Sequence, residues 1–461
     1  MNLSAGCGFE YIKGLVETFT PMGRKRLYGI SFLTERSRIE EEYDRQEDMK
    51  EIAANPDKVV SIISRFRDIS ATLENLTAGA VLDEVELFEI KSFAIWNEKL
   101  RERLGNCPRW MRLPDLSAVI GLLDPEKTGL ESFYISDLFD ESLPELRRKI
   151  AQCQRSDDPR DRERAAGLLE MNAQVESKVR ARLSKELQVF SDNLSLSLNR
   201  VGDIDLTLAK AILNARLKLV RPSIVEDAFA FEGLFNPEVA RILSEKNKVF
   251  QSYSLSLRKS TLVIGGNMTG KSVFLRTLAL VQTMFQHGFF VPAEKASLTP
   301  YDRIVYYSGD HQSFENGLSS FAGEVEFLKE AVGIVSRGER GLFLFDEIGK
   351  NTNPLEGPAF LLAAMEYLSR GSGCRAVFSS HYEEALENRD AQLLMVRGLD
   401  HRKLSSRKRR EISFYIDHTV QEIDEFSGFP REGTVIARLL GMDDDFLKLV
   451  EKHLDGGKNE K

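Results

Sequence analysis

Along the first half of the chain apolar residues return at helical spacing, whereas in the second half they gather into short runs. Met171, Val175, Val179, Leu183 and Leu187 recur every four residues among charged neighbours, which predicts a long helix that buries one stripe. Just before it, "QRSDDPRDRERA" (residues 154–165) is polar, charged in both signs and contains a proline, and reads as an exposed turn at the tip of a helical arm. From about residue 225 compact apolar runs alternate with helical segments. "STLVIGG", "RIVYYSG", "GLFLFDE" and "RAVFSSH" predict strands. After the first of them, Phe274, Leu278, Val281 and Phe285 fall on one face of a predicted helix. "AQLLMVRG" and "EISFYID" predict a hairpin around the loop "LDHRKLSSRKRR". The expected fold is thus α + α/β: a helical domain over residues 1–225, an α/β nucleotide-binding domain over 226–455 and a polar tail at 456–461. In such an α/β domain the reactive residues sit at the carboxyl ends of the strands.

Composition narrows the classes. The 461 residues are 42% hydrophobic, enough for two to four domains with cores of their own. Cys7, Cys107, Cys153 and Cys374 lack metal-site spacing, and without a secretory signal pattern they read as reduced thiols of a cytoplasmic protein. No window approaches the roughly 20 uninterrupted apolar residues of a membrane span, so no membrane partner is expected. The net charge of -8 provides no overall attraction to a polyphosphate backbone, and only a local basic patch could override it.

The candidate chemistry sits at the ends of the predicted strands. Gly265, Gly266, Asn267, Met268, Thr269, Gly270, Lys271 and Ser272 match a phosphate-binding loop at every fixed position, and Val273 continues into the helix. In such a loop backbone N–H groups and a helix N-terminus hold the phosphates of ATP, Lys271 reaches the β and γ phosphates, and the Ser272 hydroxyl is offered to Mg²⁺. Asp346, at the end of "GLFLFDE", is placed to hold Mg²⁺ through water, and the adjacent Glu347 to act as general base. His381, just past "RAVFSS", is read either as a group that senses the γ-phosphate or orients water, or as a structural imidazole at a strand end.

These residues resemble the MutS family of mismatch-repair ATPases. The likeness rests on Asn267-Met268 before Gly270-Lys271-Ser272, on Val291-Pro292-Ala293 and Asp302-Arg303-Ile304, on "NGLSSFAGEVEF", on "DEIGKNTN" and on His381-Tyr382. The resemblance implies an ABC-type ATPase domain behind a helical core and shortened lever arm, working as a homodimer, or a heterodimer with a related subunit, that shares its nucleotide sites. By carry-over, Ser319, Ser320 and Glu324 belong to the segment that approaches the partner's γ-phosphate, and Gly349 to Thr352 to a loop signalling across the interface. Read as residues alone, Ser319 or Ser320 is equally a helix cap. Phe250 lies where the family places an aromatic that stacks on adenine; a core phenylalanine is the other reading. Thr269, Gly266 and Asn351 depart from the family's usual residues, and the sequence as given holds no mismatch-reading domain. Two clients follow from the likeness. One is DNA, with Arg402, Lys403, Arg407, Lys408, Arg409 and Arg410 as phosphate contacts or as a solvated hairpin tip. The other is a protein: Asp310-His311-Gln312-Ser313 and "NTNPLEG" resemble MutS-like ATPases that reactivate cobalamin-dependent lysine or ornithine aminomutases.

Overall fold

A computed structural model describes residues 6–156, 158–266, 268–309, 320–387, 390–400, 414–424 and 433–456. The chain forms two compact units that interleave in sequence instead of dividing at residue 225. One comprises Val16–Ile30 and Arg45–Ile212, the other Met1–Leu15, Ser31–Asp44 and Leu213–Lys461.

The first unit is helical. Its core gathers Leu87, Ile90 and Leu100 from the helix Glu84–Leu104, Leu183 and Leu187 from the helix Pro159–Leu187, and Leu194, Leu198 and Val201 from the helix that begins at Ser191. The predicted stripe is buried only in part. Val179, Leu183 and Leu187 are enclosed and Val175 packs on the core, while Met171 is 54% exposed. That earlier stretch of the helix runs beside Leu143–Gln154, whose Ile150 and Cys153 are buried. Much of the polar run at 154–165 is helix and not turn. The Asp158 carboxylate accepts the Arg160 N–H as an N-cap and Pro159 takes the first helical position, where its missing N–H costs nothing.

The second unit holds two sheets. Ser223–Ile224 (β1), Phe229–Leu234 (β2), Tyr253–Ser256 (β3) and Lys295–Leu298 (β5) form the smaller, in the order β1-β5-β2-β3. In the larger, Ser260–Ile264 (β4), Arg303–Tyr307 (β6), Gly341–Asp346 (β7) and Arg375–Ser380 (β8) are the four predicted runs. β4, β7 and β8 are buried at every position, the signature of parallel strands covered on both faces. Gln392–Leu399 (β9) and Ile416–Glu422 (β10) form the predicted antiparallel pair, with pairing that starts at Ile416 opposite Leu399. β10 therefore lies further along the chain than "EISFYID" suggested. The order across this sheet is β10-β9-β4-β8-β7-β6.

The helix Lys271–Gln286 buries its predicted face, and its other side is enclosed too: Thr277, Gln282, Thr283 and Gln286 are all at or below 1% exposure. Segments from the start of the chain provide that cover. The Leu33 N–H donates to the Gln286 carbonyl at 2.6 Å, Tyr43 Oη–H reaches the carbonyls of Phe285 and Phe289 at 3.3 and 3.2 Å, and Cys7 lies against Thr283. Periodicity shows which helix face is apolar but not which residues bury it, so this arrangement has no local signal. All four cysteines are buried and unpaired by disulfides. Among the described residues no helix is long and apolar enough to cross a membrane, and no cluster of three or more His, Cys, Asp or Glu is placed to hold a metal.

Candidate active site

Strands β4, β8 and β7 are parallel neighbours, with Ile264 opposite Ser380 and Asp346 opposite Ser379. Their carboxyl ends therefore deliver the glycine loop, His381 and the Asp346-Glu347 pair to one place. The loop turns through positive φ at Gly265 (156°), Met268 (66°) and Gly270 (112°). A Cβ at Gly265 would stand 2.9 Å from the Val396 carbonyl oxygen, so this position also requires glycine for close approach. Lys271, buried at the first turn of its helix, donates from Nζ to the carbonyls of Gly265 and Gly266 at 3.0 and 3.1 Å, and Thr269 Oγ1 donates to Gly266 at 2.9 Å. Ser272 is exposed beside it and Val273 half-buried.

Glu347 holds an unusual backbone, φ 54°, stabilised by its N–H donating to the Ser379 carbonyl at 3.2 Å and to Ser379 Oγ at 3.0 Å. Its Oε1 lies 2.5 Å from His381 Nε2 and 3.5 Å from Lys271 Nζ, and its Oε2 accepts from Lys350 Nζ at 2.8 Å. The hydrogen bond from His381, then Lys350 and Lys271, outweigh burial and hold the Glu347 carboxyl well below the usual carboxylate range. Burial pushes the Lys271 ammonium pKa down, and Glu347 and Asp346 oppose that shift without cancelling it. His381 Nε2 is also 3.0 Å from Lys271 Nζ, yet one ring nitrogen cannot accept from an ammonium and donate to a carboxylate at once. The shorter contact makes Nε2 the donor to Glu347, which leaves Lys271 to the loop carbonyls and the carboxylate.

Ser379 went unremarked in the sequence. It is fully buried, and its Oγ donates to Asp346 Oδ1 at 2.5 Å while accepting the Glu347 N–H. One hydroxyl thereby fixes both acids. Ser379→Ala leaves a buried carboxylate oxygen without its donor, and should destabilise the protein by about 1–3 kcal/mol in urea unfolding. A midpoint unchanged from wild type would contradict that role.

The chemistry of this donor set suits a triphosphate with Mg²⁺. The loop offers backbone N–H groups at a helix N-terminus and an ammonium held by neutral carbonyls that an anion can replace. The Ser272 hydroxyl and the second oxygen of Asp346 are the hard ligands Mg²⁺ prefers. Residues 261–452, which contain all of these groups, match the family model "MutS domain V". This segment of the chain is similar to domain V of the MutS family.

Relatives described as "DNA mismatch repair protein MutS" include that of Bacillus pumilus (strain SAFR-032), 30% identical over 251 residues, which are 54% of this chain and 29% of the relative. That of Rhodopseudomonas palustris (strain BisB18) is 33% identical over 219 residues, 46% of this chain and 24% of the relative. That of Bacillus subtilis (strain 168) is 28% identical over 262 residues, 56% and 30%. The match thus spans less than a third of the length of these MutS proteins.

The other positions singled out in the sequence fall as follows. Phe250 is half-buried and meets Tyr253 edge-on at 5.5 Å, and Tyr253 meets Phe274 edge-on at 5.0 Å, so Phe250 ends a row of rings leading to the first turn of the loop's helix. Beside that row His418, from β10, places Nδ1 2.5 Å from the Thr269 carbonyl oxygen, and its backbone N–H donates to Gln251 Oε1 at 2.5 Å. Sequence reasoning missed His418 and Gln251, since nothing local ties them to the glycine loop. Glu324 is 1% exposed, and its carboxylate is engaged inside its own chain by Gly349 and Asn351. Ser320 begins the helix Ser320–Ser336. Asn267, Ser319, the run 310–313 and the basic residues from Arg402 to Arg410 lie outside the described residues, as does the side chain of Ser320.

Proposed function

We propose that this chain binds ATP with Mg²⁺ at the glycine loop and hydrolyses it, with Glu347 as general base. The observation that carries this is the meeting of Lys271, Glu347 and His381 at the ends of three adjacent parallel strands. Bound Mg²⁺ supplies charge neutralisation at the phosphates, with Ser272 and Asp346 as its protein ligands. A polyphosphate offers Lys271 a stronger partner than two peptide carbonyls, and drawing Lys271 there frees Glu347 Oε1 for a water proton. His381, donating to that carboxylate, keeps the base oriented and ionised. Gly265, Gly266, Asn267, Met268, Thr269, Gly270 and Val273 line the phosphates, and Phe250 stacks on the adenine. Mg²⁺-dependent release of phosphate from ATP by the purified protein is the test, and no release above a protein-free blank rejects the reading.

Two copies of the chain share each nucleotide in this proposal, with Ser319 and Ser320 facing the partner's γ-phosphate. DNA is the proposed client, on which ATP drives movement of the helical arms, and the relatives' description as DNA mismatch repair proteins supports it. Arg407, Lys408, Arg409 and Arg410 are the proposed phosphate-binding residues. Replacing the four with Ser should weaken DNA binding at all sequences and flatten its salt dependence by about 0.9 for each phosphate that is no longer neutralised. Filter binding over a salt series measures this. Equally weak, shallow binding by both proteins removes DNA as client and leaves a protein such as an aminomutase.

A further inference from the structure

The turn that follows Glu347 is tied down from two sides, neither of which takes part in the chemistry above. From one side the Glu324 carboxylate accepts the Gly349 N–H at 2.8 Å through Oε2, and through Oε1 accepts Asn351 Nδ2–H at 2.6 Å and Tyr307 Oη–H at 3.4 Å. From the other, Tyr382 Oη–H donates to the Gly349 carbonyl at 2.8 Å. Both groups of one peptide residue are thus claimed, the N–H by a side chain of the helix Ser320–Ser336 and the C=O by the residue next to His381.

The turn has little room to adopt another course. Gly349 has φ 81°, and a Cβ there would lie 2.8 Å from both Cα and O of Gly357, which are backbone atoms that cannot swing aside. A carboxylate at 1% exposure is costly to bury, and such a group is retained where it accepts several donors at once. Glu324 meets that condition with three donors, all of them on elements that border the site: β6, the Glu347 turn and its continuation.

We propose that Glu324 is the positioning residue for the general base: it sets the Glu347–Gly349 turn, and with Tyr382 it fastens that turn to the helix Ser320–Ser336 and to the strand end that carries His381. The inference rests on reading Glu347 as the base. It has a mechanical corollary, because the hydrogen bond at Gly349 links that helix directly to the Glu347 turn, beside the core packing of Phe327 and Ala331. Glu324 touches no phosphate in this scheme and leaves nucleotide affinity alone.

The test compares Glu324→Ala, Glu324→Gln and Tyr382→Phe. Glu324→Ala should lower kcat about tenfold with the ATP dissociation constant within about twofold of wild type, since only the placement of the base is lost. Glu324→Gln should return to within about threefold of wild type, because its carbonyl still accepts the Gly349 N–H. Tyr382→Phe, which keeps the ring, should lower kcat by a smaller factor, and the double variant Glu324→Ala/Tyr382→Phe should cost less than the product of the two, as expected of groups acting through one turn. Hydrogen exchange followed on the peptide containing Gly349 supplies a readout independent of turnover: about tenfold faster exchange in Glu324→Ala, restored in Glu324→Gln. Unchanged exchange at that peptide, or a kcat loss that Glu324→Gln does not recover, overturns the proposal. A wild type that hydrolyses no ATP defeats the reading of Glu347 as the base, and this proposal with it. A wild type that hydrolyses ATP beside a Glu324→Ala protein of equal kcat defeats the proposal alone.

Discussion

Lys271→Ala should abolish tight Mg·ATP binding. The ammonium is the only cation among the described residues that lies within the loop's own carbonyl cradle, 3.0 and 3.1 Å from Gly265 and Gly266, and its loss removes a charge-assisted bond to phosphate worth about 3 kcal/mol, or roughly 100-fold in affinity. The fold should survive. Lys271 is replaced in its pairing with Glu347 by His381 and Lys350, which already hold that carboxylate. Equilibrium dialysis with ATP and Mg²⁺ measures the affinity, and circular dichroism the fold. A folded variant that binds ATP as wild type does would falsify the assignment of the glycine loop.

Glu347→Gln should bind ATP normally and hydrolyse it about 10²–10⁴-fold more slowly, since the amide preserves the shape but takes no proton from water. If two subunits sandwich the nucleotide, this variant should accumulate with ATP as a dimer, which light scattering reports as a doubled mass. Wild-type turnover in the variant would move the base elsewhere, to His381 first. The same residue has a signature in stability. A carboxyl whose folded pKa lies below its unfolded value contributes fully above the unfolded value, and loses that contribution as pH falls through the folded one. Glu347 is such a group, held ionised by His381, Lys350 and Lys271. The stability difference between wild type and Glu347→Gln should therefore be constant across neutral pH and shrink only below about pH 4, as urea unfolding at a series of pH values would show.

The parts of this molecule that could be read from the sequence are those whose cause is local. A glycine-rich turn between a strand and a helix has a local signature, so the strand Ser260–Ile264, the turn at Gly265 and Gly270 and the helix that begins at Lys271 were legible. Runs such as "GLFLFDE" are apolar at every position because both sheet faces are covered, and they were legible for that reason. The helix start at Pro159 was legible in principle, from Asp158 before a proline, but the density of charge around it read as a turn. Other features depend on partners far along the chain. Ser379 looks like any strand serine until β7 and β8 are paired in register. His418 meets Thr269 across 149 residues, and the inward course of Glu324 depends on Gly349 and Asn351, which follow it by more than two dozen residues. No pattern of hydrophobic spacing encodes such pairings.

The interleaving of the two units bears on how the chain is made. Tyr43 and Leu33 are made about 240 residues ahead of the carbonyls they bond, on Phe285 and Gln286, a delay on the order of 10–50 s at ordinary synthesis rates. In that interval Val16–Ile30 and Arg45–Ile212, which share one core, are already complete. Cys7, Phe9 and Tyr43, all at or below 1% exposure in the finished protein, are the side chains this delay concerns. Their burial can therefore be completed only once residues 283–289, which Cys7, Phe9 and Tyr43 touch in the finished protein, have been made.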